Sequence, residues 1–319
     1  MVRLVKLGDP LIYILDMAAF IGIFAILAIS LNLEYGFTGL ANFGKVAFFM
    51  VGAYASSIMA NLGYPYLLCL IVAIIIAGIV GLLASLPALK LKADYLAIVT
   101  LAFGEILRYI IKNEEWIAKG VQGITVPSAI TIAGISIRTM MLLQLTIIYA
   151  ALAICYLITQ LLVNSPYGRV VRAIREDELA TQVLGKDVFK YKAQIFAVGS
   201  AMAGISGSLF AQYVRLINPY MFEPIVTFTI WMMVILGGPA NNLGVILGAA
   251  FVQALERGAR IVKDYLLLPV DPHNLRIILI GLLIIIILMY RPQGLMKESK
   301  IKTSALEVSS KWRKKSSKQ

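Results

Sequence analysis

Apolar runs of membrane-crossing length recur along this 319-residue chain, near residues 10–31, 40–60, 67–89, 95–111, 140–162, 193–213, 225–237, 243–262 and 274–290. An α-helix needs about twenty apolar residues to cross the ~30 Å hydrocarbon core, whereas a barrel strand needs only about ten, in alternation. Inside lipid every backbone N–H and C=O must find a partner within the protein, so runs of this length specify helices. A hydrophobic content of 60% and a mean hydropathy of +0.85 exceed what a soluble domain of this length would carry. The expected fold is therefore all-α, a polytopic transmembrane helix bundle of eight or nine spans with room for one re-entrant or broken segment. The N-terminus lacks a small-residue cleavage pattern, so the first run reads as a retained span.

Several functional classes fall away on composition. Cys69 and Cys155 both lie inside apolar runs, leaving neither a disulfide framework nor a CxxC metal site. The single His273 sits beside Pro272 in a short loop and cannot by itself supply a zinc site or a triad. No cofactor or metal is expected. The net charge of +12 would suggest nucleic acid in a soluble protein, but its location decides otherwise. The tail 291–319 holds nine Lys or Arg against Glu298 and Glu307, which predicts a cytoplasmic C-terminus resting against anionic membrane lipids.

Counting spans back from that tail places Lys90, Lys92 and the polar stretch 163–192 on the cytoplasmic side, and the segments 112–139, 214–224 and 263–273 outside. The same count places Arg3 and Lys6 outside, against the charge rule, so either one N-terminal segment is re-entrant or broken or the N-terminus tolerates the violation. The run 40–60 is the first suspect for a broken span, since it carries Gly39, Asn42, Gly44 and Lys45 at its head. Small residues at Gly78 and Gly81, 201–207, and Gly244 and Gly248 predict close helix approach within the subunit.

The stretch 163–192 reads as two short helices laid end to end. Arg169, Arg172 and Arg175 lie toward the C-terminal end of the first. Asp177, flanked by Glu176 and Glu178, caps the second, and Gly185 closes it. Val170, Ala173, Ile174, Leu179, Ala180, Val183 and Leu184 recur at helical spacing, which predicts an apolar docking face. A long structured loop between spans is usually functional.

Other signals weigh less. Gly39–Val46, GLANFGKV, follows a phosphate-binding P-loop for seven positions and fails at the Ser or Thr that would hold magnesium; no strand precedes it, so it reads as a decoy. Asp16, Glu34, Lys45, Glu105, Arg108, Glu256, Arg257 and Arg260 are ionisable residues in or near apolar runs, each costing roughly 2.5–3.5 kcal/mol at membrane depth unless partnered or wet. Glu105 and Arg108, three apart on one helix, can pair. Glu256, Arg257 and Arg260 are expected to snorkel at a helix end. Lys45 has no acid three or four residues away, which leaves a tertiary partner, a polar cavity or a headgroup. Asn42, Lys45, Glu105 and Arg108 are the candidate translocation-path residues.

Four segments carry a pattern beyond chemistry: GLANFGKVAFFMVGAYASS from Gly39, LKLKADYLAIVTLAFGEILRYIIKN from Leu89, GRVVRAIREDELATQVLGKDVFKYK from Gly168, and ILGGPANNLGVILGAAF from Ile235 together with YRPQGL from Tyr290. In order and spacing, over nearly the whole chain, they resemble the LivM-type permease subunits of branched-chain amino acid ABC importers. The resemblance implies a LivH-type permease partner, two ABC ATPase subunits and an extracytoplasmic substrate-binding protein. It also implies that Arg169, Arg172, Arg175, Glu176, Asp177, Glu178, Ala180, Leu184 and Gly185 belong to the segment that docks on an ATPase. Lys45 stands where such permeases commonly have histidine. Glu178, Ala180 and Gly185 follow the E-A-A…G importer pattern with the glycine one residue late. The outer segment 119–128, KGVQGITVPS, is similar to a family loop that could meet the binding protein, or it is a turn that reverses the chain.

The domains expected are a permease domain over 1–290, including the cytoplasmic coupling loop 163–192, and the basic cytoplasmic tail 291–319. The expected function is a non-enzymatic permease of an ATP-driven importer for branched-chain or related amino acids in the cell membrane. Alternatives are a permease of the same family for urea or short amides, or a secondary transporter using Asp16 or Glu105 as a proton or cation site. An intramembrane enzyme would need a convergent nucleophile and base, and no such pair stands out.

Overall fold

The computed structural model describes residues 10–89, 91, 93–127, 136–266, 281–282, 285, 289–290 and 293–298. Most of the ninth apolar run, the tail beyond 298, and Arg3, Lys6, Lys90, Lys92 and His273 lie outside the described residues.

The protein is an all-α, multi-pass membrane bundle. Its helices are α1 (Pro10–Glu34), α2 (Lys45–Asn61), α3 (Tyr66–Ala88), α4 (Ala93–Asn113), α5 (Glu115–Ala118), α6 (Ile137–Asn164), α7 (Pro166–Glu176), α8 (Glu178–Val183), α9 (Val188–Val214), α10 (Pro224–Gly237) and α11 (Asn242–Leu266). Among the described residues, four stretches are long and apolar enough to cross a membrane: Leu11–Glu34, Tyr66–Ala88, Arg138–Asn164 and Val188–Val214. The remaining candidate spans differ for physical reasons. At 17 and 14 residues, α2 and α10 are short. α4 carries Glu105, Arg108 and Lys112, and α11 carries Glu256, Arg257 and Arg260. The two short helices depend on protein rather than lipid for their surroundings: twelve of the 17 residues of α2 and nine of the 14 of α10 are buried.

The bundle is organised around α9, which packs on α1, α2 and α3, while α1 also meets α6, α10 and α11 and α10 pairs with α11. The small residues of α9 set how closely its neighbours approach. A Cβ on Gly207 would fall 2.1 Å from the Phe49 carbonyl oxygen of α2, and one on Gly204 would fall 2.6 Å from the Ala77 Cβ of α3. Gly244 and Gly248 of α11 likewise abut backbone oxygens of α10. With no hydrophobic drive between helices in lipid, this close packing supplies the association energy.

The described part of the outer segment, 119–127, is pinned to the bundle rather than a free turn. Two-residue strands β1 (Ile124–Thr125) and β2 (Leu216–Ile217) pair antiparallel, and the Asn61 Nδ2 at the end of α2 donates to the Thr125 carbonyl at 2.9 Å. Gly123, at φ +77°, has no room for a Cβ, which would lie 2.1 Å from the Ile217 oxygen.

Candidate functional site

The run 40–60 is broken at its head. α1 stops at Glu34, and turns carry the chain to α2, which starts only at Lys45. Polar backbone in such a break must be satisfied by protein, and it is. Gly39 N donates to Tyr35 O and Leu40 N to Glu34 O, both at 2.9 Å. At the start of α2, Phe43 N donates to Thr100 Oγ1 of α4 at 3.0 Å and Val46 N to Thr227 Oγ1 of α10 at 3.2 Å. Gly44 lies against α4 so closely that a Cβ would meet the Thr100 oxygen at 2.1 Å. The glycines of GLANFGKV thus serve helix packing, not a phosphate cradle.

Inside this break sits a buried ion pair. Lys45 Nζ donates to Glu34 Oε1 at 2.7 Å, with both side chains 0% exposed. Asn42 Nδ2 donates to Glu34 Oε2 at 2.9 Å, and Trp231 Nε1 of α10 donates to the Asn42 carbonyl at 3.2 Å. The Trp231 ring stacks on Phe43, with centroids 4.6 Å apart, and meets Tyr35 edge-on at 4.4 Å. Glu34 sits at a helix C-terminus and Lys45 at an N-terminus, so each charge opposes the dipole of its own helix. Among the described residues their mutual contact and Asn42 compensate them. Of the environments open to Lys45, the structure selects the tertiary partner. Asn42 and Lys45 are both 0% exposed within the subunit. Sequence reasoning did not nominate Glu34 for the site, because the two charges stand eleven positions apart and meet only when the chain reverses. The available signal was an acid at the end of an apolar run followed by glycines and a lysine.

A second break adjoins the first. Asn32 Nδ2 donates to Asn242 Oδ1 and Asn32 Oδ1 accepts from Ala240 N, both at 2.9 Å, tying α1 to the turn between α10 and α11. Against that turn lie residues 293–296, at the end of the 290–295 motif, with Leu295 N donating to Leu236 O at 2.7 Å and Met296 N to Gly237 O at 3.1 Å. Two of the quoted sequence segments therefore form one structural unit.

The stretch 163–192 folds as α7 and α8, end to end. Ser165 Oγ caps α7 by accepting from Gly168 N at 3.3 Å, with Pro166 in the first turn. Asp177 caps α8, its Oδ1 accepting from Ala180 N at 3.0 Å, and Gly185 leaves the helix at φ +78°. Arg175 joins this unit to both breaks. Its Nη1 donates to the Gly36 carbonyl at 2.6 Å, and its Nη2 reaches Glu176 Oε1 at 2.8 Å and Glu298 Oε2 at 3.0 Å. Burial alone would lower the Arg175 pKa, but the two carboxylates outweigh it and hold it above the ordinary value. Arg172 lies over the Phe37 ring at 5.4 Å, and burial lowers its pKa. Arg169 is exposed.

The apolar face expected along this loop divides in two. Ile174, with Val171, is buried against the bundle, whereas Leu179, Val183 and Leu184 of α8 are 74–87% exposed. Ile174 therefore belongs to the anchor. Glu176, Asp177, Glu178, Ala180 and Gly185 are exposed with α8.

Glu105 and Arg108 pair as expected, Arg108 Nε donating to Glu105 Oε1 at 2.9 Å and Nη2 to Oε2 at 2.6 Å. They remain partly exposed, so a double-mutant cycle with Glu105→Gln and Arg108→Gln is expected to give a coupling energy on the order of 1 kcal/mol, read from detergent unfolding. Simple additivity would show that each charge is satisfied by water. One expectation is corrected. Arg257 does not snorkel: it is 9% exposed, lies 3.6 Å over the Phe20 ring and pairs with Asp16, which also accepts from Tyr213 Oη at 2.7 Å.

Comparison with known proteins agrees with this architecture. Residues 13–288 match the family described as branched-chain amino acid transport system / permease component. The chain is 33% identical to the probable branched-chain amino acid transport permease protein LivM of Methanocaldococcus jannaschii, covering 90% of this chain and 94% of that one. It is 30% identical to the high-affinity branched-chain amino acid transport system permease protein LivM of Escherichia coli K12, over 88% of this chain and 69% of the relative. A LivH permease of Salmonella typhimurium is 26% identical over 73% of this chain and 80% of its own length. No solved structure matches.

Proposed function

This chain belongs to the branched-chain amino acid transport permease family and is of its LivM type, and we propose that it forms the translocation path of an ATP-driven importer for branched-chain or related amino acids together with a LivH-type permease. In this reading two ABC ATPase subunits dock on the cytoplasmic side, an extracytoplasmic binding protein delivers substrate, and the C-terminal tail is cytoplasmic. In this reading ATP hydrolysis belongs to the ATPase subunits. The chain's own work is to move helices.

The observation that carries the proposal is the α7–α8 unit. Leu179, Val183 and Leu184 present exposed apolar surface on a capped helix, and the same unit is bonded through Arg175 to the Gly36 carbonyl at 2.6 Å, two residues beyond Glu34. An ATPase that grips α8 and closes would displace α7, and Arg175 would deliver that displacement to the broken span. Arginine does not titrate in the physiological range, so the linkage is insensitive to pH there. Of the candidate path residues, Asn42 and Lys45 are buried at the break, which they would hold in shape, while Glu105 and Arg108 of α4 remain partly exposed. The carboxylates that a secondary transporter would titrate, Asp16 and Glu105, are each committed to an arginine.

The test is the Glu178→Arg, Leu184→Asp variant in the assembled complex. Placing unmatched charge in an apolar docking contact costs roughly 2–5 kcal/mol, so ATP-driven uptake is expected to fall by more than about tenfold while membrane insertion is retained. Unchanged uptake with unchanged ATPase association would remove α8 from the interface.

A further inference from the structure

On the face of the bundle that carries α7 and α8 lies a cavity of about 230 Å³, far above the ~15 Å³ that a single water requires. It opens between the broken segment at Thr38–Leu40, the end of α3, and helices α4, α7 and α8, with the first turn of α9 closing it. Among the described residues its buried aliphatic lining is Leu40, Leu89, Leu96 and Ile174, each no more than 8% exposed, and Thr38 and Gly39 add polar surface beside them. Its rim carries opposite charges, Lys192 and Glu178, which are ion-paired with side-chain exposures of 14% and 45%. Arg175 also lines the space, but its guanidinium is committed to Gly36, Glu176 and Glu298.

We propose that this cavity is a release-side binding site for a small zwitterion with an aliphatic side chain. A purely polar solute would leave four aliphatic walls without apolar contact, and a hydrocarbon chain would leave the charged rim unused. A ligand of single charge inserted at the rim would pair with Lys192 or Glu178 and strand the other. A zwitterion replaces one ion pair with two charge-assisted ones, carboxylate to Lys192 and ammonium to Glu178, and leaves no charge uncompensated. The side chain then fills the leucine-lined interior. An occupant placed there touches α8, α7 and the broken span together, so it would oppose any change in their spacing. Released substrate would thereby slow the transport cycle from the cytoplasmic side. The choice of an amino acid as ligand rests on the proposed function; the match to a zwitterion rests on the charged rim and aliphatic lining among the described residues.

The purified permease complex, without ATP or binding protein, is dialysed against radiolabelled leucine. Saturable binding with a dissociation constant on the order of 1 mM is expected, and about tenfold weaker binding of 4-methylpentanoate and 3-methylbutylamine, which lack one charge each. Leu96→Trp and Leu40→Phe, which fill the cavity from different elements, should each abolish the leucine signal. Should either variant fail to assemble, Leu91→Cys at the rim gives an independent reading. The native Cys69 and Cys155 are buried, so a water-soluble maleimide reports on the new thiol, and leucine should slow its labelling.

Leucine binding unaltered in both filled variants, equal binding of the singly charged analogues, or labelling indifferent to leucine would overturn the site. Uptake by the same complex separates the two ideas. Cavity-dependent leucine binding without leucine uptake supports the site and removes the transport assignment, whereas leucine uptake without cavity-dependent binding removes the site and keeps the assignment.

Discussion

Replacing Lys45 with methionine alone is expected to destabilise the protein by about 3–5 kcal/mol, the range seen when one partner of a buried ion pair is removed. Glu34 would remain 0% exposed with only Asn42 to satisfy it, at the C-terminal end of α1, where the helix dipole already disfavours a negative charge. Glu34→Gln alone should be comparably harmful, because Lys45 would then stand buried beside an N-terminus. The combined Glu34→Gln, Lys45→Met variant should recover most of the loss, since it removes both charges and keeps an acceptor for Asn42. Detergent-induced unfolding of the purified complex, with assembly yield as a second readout, measures all three. A double variant as unstable as the sum of the singles would mean that the charges do not depend on each other.

Adding a single methyl group at Gly207 should also have a large effect. Its Cβ would lie 2.1 Å from the Phe49 oxygen and 2.7 Å from the Ala53 nitrogen, both backbone atoms of α2, so neither can move aside without shifting a helix. Gly207→Ala is expected to destabilise by about 1–3 kcal/mol. The same change at Gly78 provides the contrast, because its Cβ would meet the Ala201 Cβ at an ordinary 3.4 Å. Gly78→Ala should be neutral, or stabilising by up to about 1 kcal/mol, as alanine restricts the unfolded chain. Opposite signs from one chemical change, measured in the same unfolding assay, would locate the close approach at α2–α9. Equal effects at both positions would sink that assignment.

Much of the site was legible from local chemistry. Asp177 caps α8 because an aspartate between two acidic residues, ahead of an apolar turn, has few better uses, and Gly185 ends the unit because the chain there needs φ +78°. Glu105 and Arg108 find each other because three residues on one helix bring their side chains together. Arg257 was misread for the converse reason. Near the end of a helix it has every local reason to snorkel, and only the approach of α1, with Asp16 and Phe20, makes burial favourable.

The sequence alone determined what depends on short spacing and on lipid as solvent: that the chain is a membrane helix bundle, that a capped helix pair lies between α6 and α9, and which family its motifs resemble; it made the run 40–60 the first suspect for a break. The tertiary structure decided what depends on distance in space. It supplied Glu34 to Lys45, divided the apolar face of 163–192 between an anchor and an exposed surface, and joined Arg175 to Gly36 and Glu298 across 139 and 123 positions. The physical reason is one of range. Capping and i,i+3 pairing act within a turn and are written in neighbouring residues, whereas the partner of a buried charge is set by which helices can approach closely, a property of the whole packed bundle.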